Sequence, residues 1–182
     1  AKDTEGEMLF YQSKVCEGVF HRISSGTTRD GLEVFGKMEK GYLLSVDSNW
    51  DMYGDGYLSG HYFSEGALRE QLEKAYPGLV FTEEPVENQI NMYKRDKVGH
   101  ILFLTVGNKT ISGEEFRQLL ELPSSNFTMQ AADGKIRFLC KGQGHGLGLS
   151  QYGGNVLAKE GKSYKEILRY YFPECGVQKK DS

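Results

Sequence analysis

Apolar residues recur along this chain at two spacings, every second position in some blocks and every third or fourth in others. The first spacing marks strands, whose neighbours face opposite ways, and the second marks helices. Met8 to Gln12 and Val15 to His21 alternate and carry aromatic and β-branched residues, which predicts two short strands. On a regular second strand, Cys16, Gly18 and Phe20 share one face while Val19 and His21 take the other. Ser24 to Gly31 is turn chemistry, apolar patterning restarts at Leu32 and Val34, and a short segment at Tyr42 to Val46 leads into an aromatic and acidic loop, Asp47 to Tyr57.

Further on, Ser64 caps a helix with Leu68, Leu72 and Tyr76 on one face, and Pro77 stops it. Gln89 to Tyr93 and His100 to Val106 predict paired strands across the Asp96 to Gly99 turn. Ser112 and Glu115 form a capping box for a short helix with Phe116, Leu119 and Leu120 inward, ended by Pro123. Phe127 to Gln130 and Ile136 to Cys140 flank Asp133-Gly134, a hairpin-turn dipeptide. Ser150 to Lys159 reads as a helix closed by Gly161, and Ser163 with Glu166 caps the next, which carries Ile167, Leu168 and Tyr171. The pattern predicts an α+β protein of largely antiparallel or mixed sheets with short covering helices. It reads as a single domain over residues 1–182, without repeats or linker.

Composition narrows the function classes. A net charge of -3 removes the basic field that supplies most non-specific nucleic-acid affinity, so nucleic acid is not an expected partner. No stretch approaches the roughly 18 consecutive apolar residues of a membrane span, so no membrane contact by this chain itself is expected. The three cysteines are odd in number and too few for a disulfide framework. Ala1 to Glu7 lacks the charged and apolar regions of a secretion signal, which reads either as a cytoplasmic protein or as a chain cut from a longer one.

One segment breaks the ordinary pattern. Gly142, Gly144, Gly146 and Gly148 alternate with Gln143, His145, Leu147 and Leu149, just before a helix begins at about Ser150. So many glycines carry an entropic cost, so the backbone there must be bent, closely approached by another segment, or laid against a ligand at a helix N-terminus. A tight packing corner with a structural His145 is one reading. A phosphate cradle is another, but no Lys-Ser or Lys-Thr follows and no nucleotide-type strand, turn and acidic partner is evident.

The block Gly144-His145-Gly146-Leu147-Gly148-Leu149-Ser150-Gln151-Tyr152-Gly153 resembles the signature of the SpoIID/LytB family, in which Val and Met are common where this chain has Leu147 and Leu149. Phe20 to Gly26, Tyr42 to Asp51, Ser112 to Phe127 and Gly161 to Tyr171 resemble further blocks of that family, so the likeness covers nearly the whole chain. Arg22 and Ser25 stand where the family usually has Ser and Gly. The family's N-terminal block, with its proposed catalytic glutamate, has no counterpart among the 182 residues, which makes this the C-terminal portion of the family domain.

The resemblance implies a lytic transglycosylase that cleaves peptidoglycan glycan strands during sporulation engulfment, forming 1,6-anhydroMurNAc ends, or alternatively a non-catalytic amidase enhancer. It implies an extracytoplasmic site in the cell wall or intermembrane space, a tether in a segment upstream, and sporulation or amidase proteins as partners. Within the matched blocks, Tyr42 and Asp51 are the candidates for supporting catalysis, and His21, His145, Ser150, Gln151 and Tyr152 for binding sugar. Glu65, Glu114 and Glu115 each fall in a first helical turn, where a structural role is the expectation over that of a substitute acid. Trp50, Tyr53 and Tyr57 bring aromatic faces to the same loop but stay outside the expected site. No cofactor is required by this chemistry. Cys16 lies five residues before His21 and Cys140 five before His145, two pairs that could converge on a tetrahedral zinc of the kind some clostridial members of the family hold, although a regular strand would turn Cys16 and His21 apart. Buried, inert cysteines are the default.

Overall fold

The computed structural model describes residues 4–179. In chain order its elements are β1 (Glu7–Tyr11), β2 (Lys14–Val15), β3 (Phe20–His21), α1 (Gly31–Phe35), β4 (Leu58–Ser64), α2 (Glu65–Ala75), β5 (Ile90–Arg95), β6 (Ile101–Val106), β7 (Lys109–Ser112) and α3 (Gly113–Leu119). There follow β8 (Phe127–Ala132), β9 (Lys135–Lys141), β10 (Leu149–Ser150), α4 (Gln151–Lys159), α5 (Tyr164–Tyr171) and β11 (Gly176–Lys179). The chain is α+β, as its pattern predicts. It is organised as two compact units: Ala1–Gly54 with Gly146–Ser182, and Asp55–His145.

The first unit holds the sheet β11-β1-β2, all antiparallel, and the two-stranded parallel pair β10-β3. Val15 to His21 is therefore not one strand. The chain follows β1 as far as Cys16, whose amide donates to Leu9 O, and then leaves it for β10, with Leu149 N donating to Val19 O. One segment serving two sheets must break between them, so the face assignment for Cys16 and His21 on a regular strand does not apply. Tyr42, Leu43, Leu147, Leu157, Tyr171 and Phe172 form this unit's buried cluster.

The second unit holds two three-stranded antiparallel sheets, β4-β9-β8 and β5-β6-β7. The hairpin at Asp133-Gly134 forms with both residues at positive φ, +53° and +69°, the geometry that favours this dipeptide. The Asp96 turn also forms, and its carboxylate accepts from the Val98 and His100 amides. Ser64 caps α2 and the Ser112–Glu115 box closes α3, which points Leu68, Leu72, Phe116 and Leu120 inward. Phe116, Phe127 and Phe138 meet there with ring centroids 5.3–5.7 Å apart, and β9 runs through the centre, shared by both neighbours. β4, β7, β10 and β11 lie outside the predicted strands. No helix among the described residues is long and apolar enough to cross a membrane.

Candidate functional site

In the first unit, the glycine run ends in a strand, a cap and a helix. β10 lies parallel to β3 with Ser150 opposite His21 and Leu149 opposite Phe20. Gly148 has φ +68°, and a Cβ there would drive into the Val19 carbonyl, so this position tolerates neither a side chain's bulk nor an L-residue's backbone preference. The run is thus a close backbone approach. Three of its amides donate to protein carbonyls: Gly142 N and Gly144 N to Tyr57 and Pro123 within the second unit, and Leu149 N to Val19 within the first. Those three amides are not open to a phosphate.

Ser150 is fully buried, and its hydroxyl accepts from Gly153 N at 3.2 Å, capping α4. His21 is buried too, and its Nδ1 donates to Leu147 O at 3.0 Å, which fixes the ring against the motif strand. Tyr152 is half-buried with its amide donating to Arg22 O, while Gln151 is exposed on the first turn of the helix. Two of the sugar-binding candidates, His21 and Ser150, therefore hold the segment in place. Two others, Gln151 and Tyr152, stand where a ligand could touch them. His145 is half-buried and closes the second unit.

Asp51 is 0% exposed, in a 3-10 turn at Asn49–Tyr53. One carboxylate oxygen, Oδ2, accepts from Ser24 N at 2.7 Å, and the other, Oδ1, is buried with no hydrogen-bond partner. A buried acceptor without a partner costs on the order of 1–3 kcal/mol, and more when charged. Gly54, at the end of this turn, permits the packing: a Cβ there would lie 3.0 Å from Asp51 O, 3.2 Å from Ile23 Cδ1 and 3.3 Å from Tyr152 Cδ2. Asp51, Ile23 and Tyr152 thus converge on one glycine.

A second polar knot lies under α4. Ser48 Oγ and Tyr171 Oη are 2.9 Å apart, and Trp50 packs on Tyr170, whose hydroxyl donates to Asp47 O. A Cβ on Gly153 would collide with Tyr171 Oη, Trp50 Nε1 and Ser48 Oγ at once. Burial pushes the Tyr171 hydroxyl up to about 12, against the hydrogen bond with Ser48 and the nearby Trp50, which lower it, and the Asp51 charge raises it further. Ser24, Ser48 and Tyr171 escaped the sequence reading. The spacing of Tyr171 marks an apolar helix face, and its partner Ser48 is 123 residues away.

Tyr42 is placed elsewhere in the same unit. It is buried between Tyr11 and Phe172, its hydroxyl donates to Glu17 O at 3.1 Å, and burial pushes its pKa up. Tyr53 is almost fully exposed. In the second unit the three first-turn glutamates are structurally engaged. Glu65 accepts from Val86 N, Glu114 pairs with Arg117 at 2.7 Å, and Glu115 closes the capping box, where the hydrogen bonds from Ser112 lower its pKa.

The cysteines do not make a zinc site. Cys16 Sγ lies 3.8 Å from Cys175 Sγ, and burial raises both thiols, Cys175 to about 12. Cys140 is fully buried among the aromatics of the second unit, and burial lifts it to about 11. A metal would need the thiolates that burial disfavours. Among the described residues, no group of three or more His, Cys, Asp or Glu is placed to hold a metal ion. Of the expected ligand set, Cys16 and His21 lie in the first unit and Cys140 and His145 in the second.

Comparison with known proteins bears on the motif blocks. No family model matches the chain. The chain is 31% identical to stage II sporulation protein D of Bacillus amyloliquefaciens over 179 residues, and 28% identical to stage II sporulation protein D of Bacillus subtilis over 180 residues. Each match covers 98% of this chain and 50% of the relative, so the chain spans about half the length of the curated relatives it matches. A shorter match, 32% over 88 residues, covers 48% of this chain and 12% of the amidase enhancer of Bacillus subtilis. Along almost its whole length the chain is similar to stage II sporulation protein D, and it carries the SpoIID-like signature block as a folded strand, cap and helix.

Proposed function

We propose that this chain is the glycan-engaging portion of a sporulation protein that cleaves peptidoglycan strands by lytic transglycosylation, outside the cytoplasm. The reaction needs an acid to protonate the oxygen between MurNAc and GlcNAc as an oxocarbenium-like centre develops at C1. The MurNAc C6 hydroxyl then attacks C1, its proton passes to the same carboxylate, and a 1,6-anhydro ring closes. Acid, base and nucleophile come from one carboxyl group and the sugar, so the chemistry calls for no cofactor. The carboxyl group is assigned to the glutamate of the family's N-terminal block, which the 182 residues do not include.

The observation that carries the reading is Asp51. A carboxylate buried with one unpartnered oxygen is costly, and the backbone carbonyl of the same residue lies in the corner that Tyr152 of the signature block also lines. Its role is to set the local field and the position of that corner, since it has no exposed surface of its own. Gln151 and Tyr152 supply the amide and hydroxyl for sugar contacts, while His21 and Ser150 hold the helix that presents them. His145 is a further sugar contact, and Tyr42 a more distant support through the apolar cluster.

The test uses a longer protein that includes the natural upstream segment, incubated with purified glycan strands. Mass spectrometry should find anhydroMurNAc ends, and their absence from a folded protein overturns the reading. The partial match to an amidase enhancer favours one alternative, a wall-binding partner that stimulates a separate amidase. That alternative predicts wall pull-down and faster amidase turnover without anhydro ends.

A further inference from the structure

The sheet β4-β9-β8 turns one face to its own core and the other to solvent. Ile136, Phe138 and Cys140 alternate inward along β9, so Lys135, Arg137, Leu139 and Lys141 project from the opposite face. The registers align Tyr62, Arg137 and Gln130 side by side across the three strands. Tyr62 is 63% exposed, and its ring leans back over Gly60, where a Cβ would lie 3.4 Å from both Cε2 and Oη. Arg137 donates to the Gln130 side-chain carbonyl, which holds the guanidinium in the row. Together with Ala132, Asp133 and Lys135 these residues line a surface cavity of about 470 Å³.

Three features of this face point the same way. An exposed tyrosine ring suits the C–H face of a pyranose, because it offers a flat, polarisable surface at low entropic cost. A guanidinium and an ammonium suit a carboxylate, and an amide suits hydroxyls. The charge is also local: Lys135, Arg137 and Lys141 share the face with Asp133 of the turn, whereas the chain as a whole carries -3.

We propose that this face binds a carboxylate-bearing polysaccharide, with Tyr62 stacked on a sugar ring and Arg137 and Lys135 paired with the acid. The choice of polysaccharide rests on the wall-glycan reading, since the lactyl group of MurNAc supplies such an acid on a pyranose. The site lies wholly within Asp55–His145 and takes no part in bond cleavage.

The whole chain is titrated with peptide-free glycan strands, with neutral chitin oligomers of matched length, and with single-stranded DNA as a phosphodiester control. Glycan strands should bind more tightly than chitin. Tyr62→Ala should weaken glycan binding about tenfold, the reach of one aromatic contact. Tyr62→Phe should restore it, Arg137→Gln should erase the preference over chitin, and Thr128→Ala on the same face should change nothing. Glycan affinity unchanged in both Tyr62→Ala and Arg137→Gln, with folding confirmed by circular dichroism, overturns the proposal, as does equal or tighter binding of chitin or DNA. An absence of glycan binding by the whole chain overturns it as well. If the longer protein yields no anhydro ends while Tyr62-dependent binding persists, the cleavage reading fails and this site stands.

Discussion

The two units solve the problem of an interior in different ways. Asp55–His145 fills its centre with Phe116, Phe127, Phe138 and aliphatic residues, under helices whose caps are satisfied locally. Ala1–Gly54 with Gly146–Ser182 also has an apolar cluster, yet it buries His21, Ser24, Ser48, Asp51 and Ser150 as well. The second unit buries Asp96, His100, Ser124, Ser125 and Asn126 too, but its buried carboxylate, Asp96, accepts from the Val98 and His100 amides, whereas Asp51 of the first keeps one oxygen without a partner. Departures of that kind are expected where a protein keeps chemistry at the expense of stability.

The largest expected effect breaks the apolar side of this contrast. Phe138→Ala removes a ring that touches Phe63, Phe116 and Phe127, and should cost about 3–5 kcal/mol in denaturant unfolding. Next is Gly153→Ala, a single methyl group pushed into the Ser48, Trp50 and Tyr171 knot, which should cost about 1–3 kcal/mol.

Alkaline titration sharpens the comparison further. Tyr171 keeps its proton in the fold up to about 12 but loses it near 10 when unfolded, so the unfolded state binds fewer protons in between. Stability should therefore be intact below pH 10 and fall by about 2–3 kcal/mol as pH rises towards 12. Tyr171→Phe should lack that part of the decline. Asp51→Asn keeps an acceptor for Ser24 N while removing a buried charge, and should raise stability by about 1 kcal/mol. The same variant in the longer protein should form anhydro ends at least about tenfold more slowly, a loss of about 1.4 kcal/mol. A variant that loses stability instead would make Asp51 structural. The smallest effect has the opposite sign from its neighbour's. Gly154→Ala meets only ordinary contacts, 3.6–3.9 Å from Ile167 and Leu149, and should stabilise α4 by up to about 1 kcal/mol.

Features completed within a few residues were legible in the sequence. The capping boxes at Ser112–Glu115 and Ser163–Glu166, the Asp96 turn and the Asp133-Gly134 hairpin are each closed by their own neighbours. Pairings made at a distance were not. β11 forms because β1 lies ready to pair with it, and the strand expected from Val15 to His21 divides because two different sheets claim its ends. β4 carries Gly60 and a half-buried face, which leaves little periodic signal to read.

The same division holds at the site. By itself the sequence carried the likeness to stage II sporulation protein D, through a block whose glycines and Ser150 cap are local requirements of the backbone, and it named Asp51, His21 and Tyr152 as candidates. Only the tertiary structure decided what those residues do there: it buried Asp51 against Ser24 N, turned His21 and Ser150 into supports, placed Tyr42 in a cluster, and joined Tyr171 to Ser48. Local dihedral and capping preferences act over a few residues and are written in their order. Burial, and with it the cost and worth of a polar group, depends on what distant segments bring to cover it.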